Sequence, residues 1–291
     1  MNCIDQVVTE RYAAYHGDCC EVLKGLPDHS IGYSIFSPPF ASLYTYSNSP
    51  RDMGNVRNDG EFFEHLDFLI VELLRVMKPG RNVSFHCMDM PASKERDGYI
   101  GLKDFPGDLL RAFQAHGFVF HSKTTIWKDP VTAMTRTKAL GLLHKSIRER
   151  SEMTRMGIPD YLITMRAPGD SNDDHVTHTS EEFPVSLWQQ VASPVWMDIN
   201  PSDTLQYMSA REHDDERHIC PLQLGVIERG IMLWSNPDDV VLSPFMGIGS
   251  EGYKALQMGR RFVGVELKAS YFGQAVRNLA AAHQKTEDLF S

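Results

Sequence analysis

Two short stretches hold residue types whose spacing could do chemistry. The first is Ser37-Pro38-Pro39-Phe40, which ends the apolar run Ile31 to Phe36. Two consecutive prolines fix two φ angles and remove two backbone N–H groups, so the turn is stiff and holds its carbonyls and the serine hydroxyl in set directions. Beside these acceptors the Phe40 ring offers a face for a planar base, a contact worth ~1–3 kcal/mol in single-strand binders. Acceptors next to a stacking face suit the exocyclic amine of a nucleobase. A plain strand-ending turn has the same composition, so the motif by itself leaves both readings open.

The second stretch is Gly247-Ile248-Gly249-Ser250-Glu251-Gly252, a GxGxxG between a strand-like and a helix-like run. Glycines there let the backbone approach a ligand closely, and Glu266, ending the next strand-like run, is placed to accept hydrogen bonds from ribose hydroxyls. An adenosine-containing cofactor fits; the absence of GK[ST] disfavours a nucleoside-triphosphate P-loop. A dehydrogenase opens its nucleotide domain with such a turn and follows it with several βα units. Here only one strand and one helix follow, so the rest of the sheet must come from earlier in the chain.

The elements that must position these motifs can be read from periodicity. Strands are expected at Tyr12 to Asp18, Ile31 to Phe36, Asn82 to Cys87, Phe118 to Trp127, Val240 to Leu242 and Arg261 to Glu266. Helices are expected at Glu61 to Met77, stopped by Lys78-Pro79-Gly80, and at Leu109 to His116, Pro221 to Trp234, Glu251 to Met258 and Ser270 to Gln284. The alternation predicts an α/β fold, a permuted Rossmann-like sheet with helices on both faces. In such a sheet ligands lie outside the carboxyl ends of the strands, so Asp18, Phe36, Leu242 and Glu266 should share one crevice. The alternation breaks between Lys128 and Arg217, which is read as an insertion. Residues 1–127 and 218–291 are then the two parts of one catalytic domain, and 128–217 a separate region.

The formal charge of −9 argues against a nucleic-acid partner until it is resolved along the chain. From Lys123 to Arg166 nine basic residues face four acids, and from Ala167 to Arg217 eleven acids face two arginines. The basic stretch contains a helical piece around Thr137 to Met156 and suits phosphate contact, or is simply a solvated face. Five scattered cysteines without a CxxC pair support free thiols rather than a disulfide framework or zinc knuckle. The histidines form no ligand-spaced cluster, and no metal is expected. No run of about 18 apolar residues and no basic, apolar leader is present, so a cytoplasmic protein without membrane contact is expected.

Taken in order, GDCCEVLKGLPDHS before SPPF, LLRVMKPGRNVSF, TIWK, SNPDDVVLSPFMGIGSEG and RRFVGVELKASYF resemble the β class of amino-group (N4-cytosine and N6-adenine) DNA methyltransferases. The resemblance spans roughly Tyr12 to Leu279 apart from the insertion. It implies an S-adenosylmethionine-dependent enzyme of bacterial or phage origin that acts on a flipped base in double-stranded DNA, in some cases alongside a restriction endonuclease. By the same resemblance Ser37, Pro38, Pro39 and Phe40 are the catalytic motif. Asp18, Cys19, Ser37, Pro244, Phe245, Gly247, Gly249, Ser250, Glu266 and Leu267 are cofactor-binding. The insertion is the target-recognition region, with Arg136, Lys138, Lys145, Arg148, Arg150 and Arg155, and with Tyr44, Tyr46 and Arg51 in the loop after the catalytic motif, as DNA contacts. Serine at the first motif position accompanies N4-cytosine in this family, and aspartate or asparagine N6-adenine. Two positions depart from the pattern: Ser243 stands where the family has aspartate, and Cys220-Pro221-Leu222-Gln223 only loosely follows its His-Pro-Thr-Gln.

Other readings stay open on the residues alone. C5-cytosine chemistry would need a thiolate, for which Cys19 or Cys20 beside Asp18 are the candidates. A nicotinamide-dependent oxidoreductase could use the glycine turn but leaves Ser37-Pro38-Pro39-Phe40 and Asp18 without a role. A DNA-binding module without activity, or methylation of RNA or protein amides on a related sheet, is also compatible.

Overall fold

The computed structural model describes residues 2–40, 59–137, 144–171, 174–206 and 221–290. The chain opens with strands β1 (Asp5–Val8) and β2 (Tyr12–His16), helix α1 (Cys19–Leu23) and β3 (Ile31–Phe36). Helix α2 (Asp59–Val76) runs into β4 (Met77–Cys87), followed by β5 (Met90–Ala92), α3 (Lys94–Asp97), β6 (Gly101–Lys103), α4 (Phe105–Ala115) and β7 (Val119–Ile126). Then come α5 (Pro130–Thr137), α6 (His144–Glu149), β8 (Asp160–Arg166), α7 (Val185–Val191) and β9 (Val195–Trp196). The last part holds α8 (Leu224–Trp234), β10 (Val240–Ser243), α9 (Ser250–Gln257), β11 (Arg261–Glu266) and α10 (Ala269–Phe290).

Among the described residues nine strands form one sheet in the order β1-β2-β11-β10-β3-β4-β8-β7-β9, and β5 and β6 form a separate hairpin. β2, β11, β10, β3 and β4 are mutually parallel, so their carboxyl ends lie along one edge. Every residue of β3 is buried, as a strand covered on both faces requires. One face packs on α1, α2 and α4, where Phe62, Leu66, Leu69, Ile70 and Leu73 line the inward side of α2. The other packs on α8, α9 and α10 through residues such as Ile227, Ile231, Leu256 and Leu279. These two layers are the helices expected on both faces.

The structure corrects three expectations. Residues 128–217 are not a unit apart from the sheet, because β8 lies between β4 and β7 and pairs antiparallel with both. Its core residues Leu162 to Met165 are all buried, and the one hydroxyl among them, Thr164, pairs with Ser84 Oγ at 2.8 Å. The sheet is therefore mixed rather than parallel, with a second reversal at the β1–β2 edge. Lys78-Pro79-Gly80 does not separate a helix from a later strand. α2 gives way directly to β4, and these residues form a bulge, with the register against β3 shifting between Ile31 and Tyr33 and Gly80 at φ +71°.

The acidic stretch after β8 is also tied to the catalytic body. Asp174 accepts from Lys78 Nζ at 2.7 Å and Arg81 Nη1 at 3.2 Å, and buried Arg81 reaches Asp239 as well. Asp198 accepts from Arg229 on α8 at 2.6 Å, which lowers its carboxyl to about 2. Within the basic stretch expected to be helical around Thr137 to Met156, the described residues include α6, which buries no residue. Among the described residues no helix is long and apolar enough to cross a membrane.

Candidate active site

Ser37 follows the last residue of β3, and the glycine turn follows the last residue of β10. These strands are parallel neighbours, with Val241 opposite Tyr33 and Leu242 opposite Ser34. Segments more than 200 residues apart in sequence therefore leave the sheet side by side. Packing fixes the junction: Ser34 Oγ donates to Leu242 O at 3.0 Å, and the rings of Phe36 and Phe245 lie 5.7 Å apart. Pro38 is buried, while Ser37, Pro39 and Phe40 are half-buried. Phe40 backs onto Phe105, ring centroids 6.0 Å apart, within an aromatic group that includes Phe62 and Phe63.

The glycine turn is built for close approach. Gly249 caps α9 at φ +87°, a left-handed conformation that costs other residues roughly 1 kcal/mol or more. At Gly252 a Cβ would stand 2.4 Å from Leu279 Cδ2 and 2.5 Å from two Phe262 ring carbons, so only glycine lets α9 sit this near β11 and α10. Glu266, ending β11, accepts from Gly247 N through one oxygen and from Lys268 N through the other, both at 2.8 Å. Those two bonds fix the carboxylate beside the turn. Ser250 is buried at the start of α9, and Pro244 is buried just beyond β10.

The next strand outward completes the row. Glu266 lies opposite His16 of β2, and Gly17 N donates to Glu266 O at 3.0 Å. Asp18 follows immediately and caps α1, accepting from Glu21 N at 3.2 Å. The Leu267 carbonyl lies 3.0 Å from His16 Nε2, and the His16 ring stacks on Phe272. So Asp18, Glu266, Gly247 and Ser37 follow one another along the carboxyl edge. Cys19 is buried, and a hydrogen bond with Cys20, burial and the nearby Asp18 charge all push its thiol well above the ordinary range. A protonated thiol is a poor nucleophile and a poor metal ligand, although Asp18, Cys19 and Cys20 bring donor atoms within 4.8 Å of one another. The described cysteines 3, 19, 20 and 87 are free.

Several buried polar atoms along this edge have no hydrogen-bond partner among the described residues: Ser243 Oγ at the end of β10, Ser270 Oγ in the first turn of α10 and Gln223 Oε1 at the start of α8. Buried polar groups are normally satisfied, so a row of orphans beside a glycine turn and a fixed carboxylate suits a polar, adenosine-bearing ligand. Ser243, which departs from the family pattern, and Gln223, which keeps the glutamine of the loosely followed His-Pro-Thr-Gln, are both among them. Glu251, in the first turn of α9, is also buried.

Sequence reasoning missed a second group behind Ser37. Ser37 Oγ lies 3.2 Å from His86 Nδ1, His86 Nε2 lies 3.1 Å from Asp160 Oδ2, and Lys128 Nζ donates to Asp160 Oδ1 at 2.5 Å. Burial works to raise the Asp160 carboxyl, but His86 and Lys128 together hold it below the usual range. Phe36 pairs with Phe85, which sets His86 beside Ser37, and Ile126 pairs with Asp160, which sets Lys128 at the same edge. LLRVMKPGRNVSF and TIWK border His86 and contain Lys128; nothing in the sequence pointed to Asp160, whose strand was not anticipated.

The expected DNA contacts are only partly placed. Lys145, Arg148 and Arg150 are exposed on and just after α6, with Lys145 3.8 Å from Glu149 and Arg150 3.3 Å from Glu152. Arg155 is half-buried and donates to Met156 O at 3.2 Å. Arg136 belongs to α5, while Tyr44, Tyr46, Arg51 and Lys138 lie outside the described residues.

Comparison with known proteins gives the family and the fold. The profile of the N6/N4 methyltransferase family, described as DNA methylase, matches residues 33–277. The DNA adenine methyltransferase YhdJ of Escherichia coli is 24% identical over 277 residues, covering 94% of this chain and 85% of its own. The PvuII DNA methyltransferase, cytosine-N4-specific, shares the fold at a TM-score of 0.67 and 16% identity, covering 98% of this chain and 96% of that one. TTHA0409, a DNA modification methylase of Thermus thermophilus solved with S-adenosyl-L-methionine, gives a TM-score of 0.66 at 23% identity, covering 94% and 96%.

Proposed function

Because the chain belongs to the amino-group DNA methylase family, we propose that it transfers a methyl group from S-adenosylmethionine to N4 of a cytosine in double-stranded DNA. The observation that carries this reading is the adjacency of β3 and β10, which sets the Ser37 acceptor turn beside the glycine turn. Glu266 and Asp18 are the acids for ribose and adenine, and the orphaned Ser243, Ser270 and Gln223 side chains are partners for the rest of the cofactor. The cofactor, when bound, supplies an electrophilic methyl group on a sulfonium.

The chain's own residues prepare the amine. A paired base cannot present its amine to a donor, so the target is flipped out of the duplex at a cost of a few kcal/mol. Ser37 Oγ and the Pro38 carbonyl accept the two amine hydrogens and draw the nitrogen lone pair out of conjugation. Phe40, backed by Phe105, stacks on the base. No covalent enzyme intermediate is required, since positioning and acceptor electrostatics suffice. The protonated Cys19 thiol weighs against C5 chemistry. Residues 128–159 and the stretch after β8 remain for target recognition, with Lys145, Arg148 and Arg150 as phosphate contacts.

Serine at position 37 favours cytosine; the YhdJ relative, an adenine methyltransferase, marks N6-adenine as the alternative. The test is mass spectrometry of nucleosides from duplex DNA incubated with the protein and S-adenosylmethionine. N4-methylcytosine is expected. N6-methyladenine would overturn the base assignment, 5-methylcytosine the amine chemistry, and binding without any methylation the enzymatic reading.

A further inference from the structure

We propose that His86 and Asp160 are positioning residues behind Ser37: His86 Nδ1 holds the serine hydroxyl hydrogen, turns the Oγ lone pairs toward the base, and receives the proton shed by the amine. This rests on the reading of Ser37 as the amine acceptor. A serine beside a substrate can point either its hydrogen or its lone pairs at the amine, and only the second arrangement accepts an N–H. The 3.2 Å contact with Nδ1 selects it, provided that the imidazole carries its proton on Nε2. Asp160 favours that tautomer electrostatically: its Oδ2 lies 3.1 Å from Nε2, an ion-pair distance without hydrogen-bond geometry, so a proton on Nε2 faces a carboxylate. Lys128 Nζ in turn holds the other carboxylate oxygen.

The cost of this group argues that it has a job. The Asp160 side chain is 3% exposed and that of His86 11%, and burying ionisable groups is expensive even when they are paired. Apolar replacements of buried ion pairs are often neutral or stabilising. The remaining ionisable groups nearby are otherwise engaged or neutral. Cys87, next on β4, has its thiol pushed up by burial and by Asp160. On the neighbouring strands Lys123 lies 3.9 Å over the Tyr161 ring, and Tyr161 Oη donates to Asp89 at 3.4 Å.

The step balances. The amine lone pair forms the N–C bond as the methyl–sulfur bond breaks, leaving a neutral thioether and a positively charged nitrogen with a surplus proton. That proton moves to Ser37 Oγ as the Ser37 hydroxyl proton moves to His86 Nδ1, and the resulting imidazolium faces the Asp160 carboxylate. Neutral His86 is therefore needed at the start.

Two measurements test this. Nitrogen-15 NMR of the histidine-labelled, cofactor-free protein should show His86 as the Nε2–H tautomer; the Nδ1–H tautomer would overturn the proposal. Single-turnover methyl transfer between pH 5.5 and 8.5 should show an acid limb in the wild type. His86→Gln should lose about 100-fold, the low end for a positioned proton acceptor, and lose the acid limb with it. Asp160→Asn should show a smaller loss. Unchanged cofactor affinity by calorimetry and a cooperative thermal melt confirm that the variants are folded. A His86→Gln rate equal to wild type, or a slowed rate that keeps the acid limb, would reduce His86 to packing and sink the relay. If the wild type methylates no DNA, the proposed function fails, while the tautomer result still judges the relay geometry.

Discussion

Replacing Glu251 by glutamine should stabilise the protein, and by more at high pH than at low. Glu251 is 4% exposed in the first turn of α9. Burial pushes its carboxyl from an ordinary 4.5 to about 8; a bond from its own backbone N–H opposes the shift, and the Glu266 charge adds to it. Between those two values the folded protein keeps a proton that the unfolded chain releases. Stability therefore falls as pH rises through this window, with the full loss reached above pH 8. At ~1.4 kcal/mol per unit, a shift of this size sets an upper bound of roughly 5 kcal/mol. Glutamine fills nearly the same space and cannot ionise, so it removes the penalty. Thermal melts followed by circular dichroism should show little difference between variant and wild type near pH 5. Near pH 9 the variant should melt higher by about 2–4 °C for each kcal/mol regained, on the order of 10 °C in all. Melting curves that stay parallel from pH 5 to 9 would refute the argument, because a purely steric effect has no reason to follow pH. Adding Glu266→Gln should move the wild-type transition window to lower pH, since it removes one of the causes of the shift.

The remaining predictions concern the site itself. Ser37→Ala and Phe40→Ala should each cut turnover at least tenfold while leaving S-adenosylmethionine affinity, read by calorimetry, nearly unchanged; full activity in both would remove their roles. Glu266→Gln should weaken cofactor binding about ten- to a hundredfold, because a charged acceptor for the ribose hydroxyls, worth ~1.5–3 kcal/mol, is lost. Gly252→Ala should cost about 1–3 kcal/mol in urea unfolding, as its Cβ would meet Leu279 and Phe262 at 2.4–2.5 Å. Replacing Lys145, Arg148 and Arg150 together by alanine should flatten the log–log salt dependence of DNA binding by up to about 0.9 for each phosphate no longer neutralised, and an unaltered slope would place the DNA elsewhere.

How far each element could be read from sequence follows from how local its cause is. β3 and β11 have the bounds expected of them, because a short run bearing Ile, Val and aromatic residues between turn residues needs no distant partner to be recognised. α2, α8 and α9 differ from expectation by three residues or fewer at either end, since amphipathic spacing is a local pattern too. β8 was hidden for the opposite reason. Its seven residues, DYLITMR, show no alternation, being buried on both faces, and they sit between charged stretches. Only the β4–β7 gap that it fills explains why Thr164 can be buried there, with Ser84 as its partner.

The two motifs and their order were legible in the residues alone, and with them the need for a late glycine turn to join a sheet begun near the start. Stiff prolines and permissive glycines act through the φ angles of single residues, so their effect is written wherever they occur. Tertiary structure alone decided what stands behind Ser37. His86, Asp160 and Lys128 come from three different parts of the chain, and no spacing along it encodes their meeting. It is set by register, Phe36 on Phe85 and Ile126 on Asp160, and register is a property of paired strands rather than of either one.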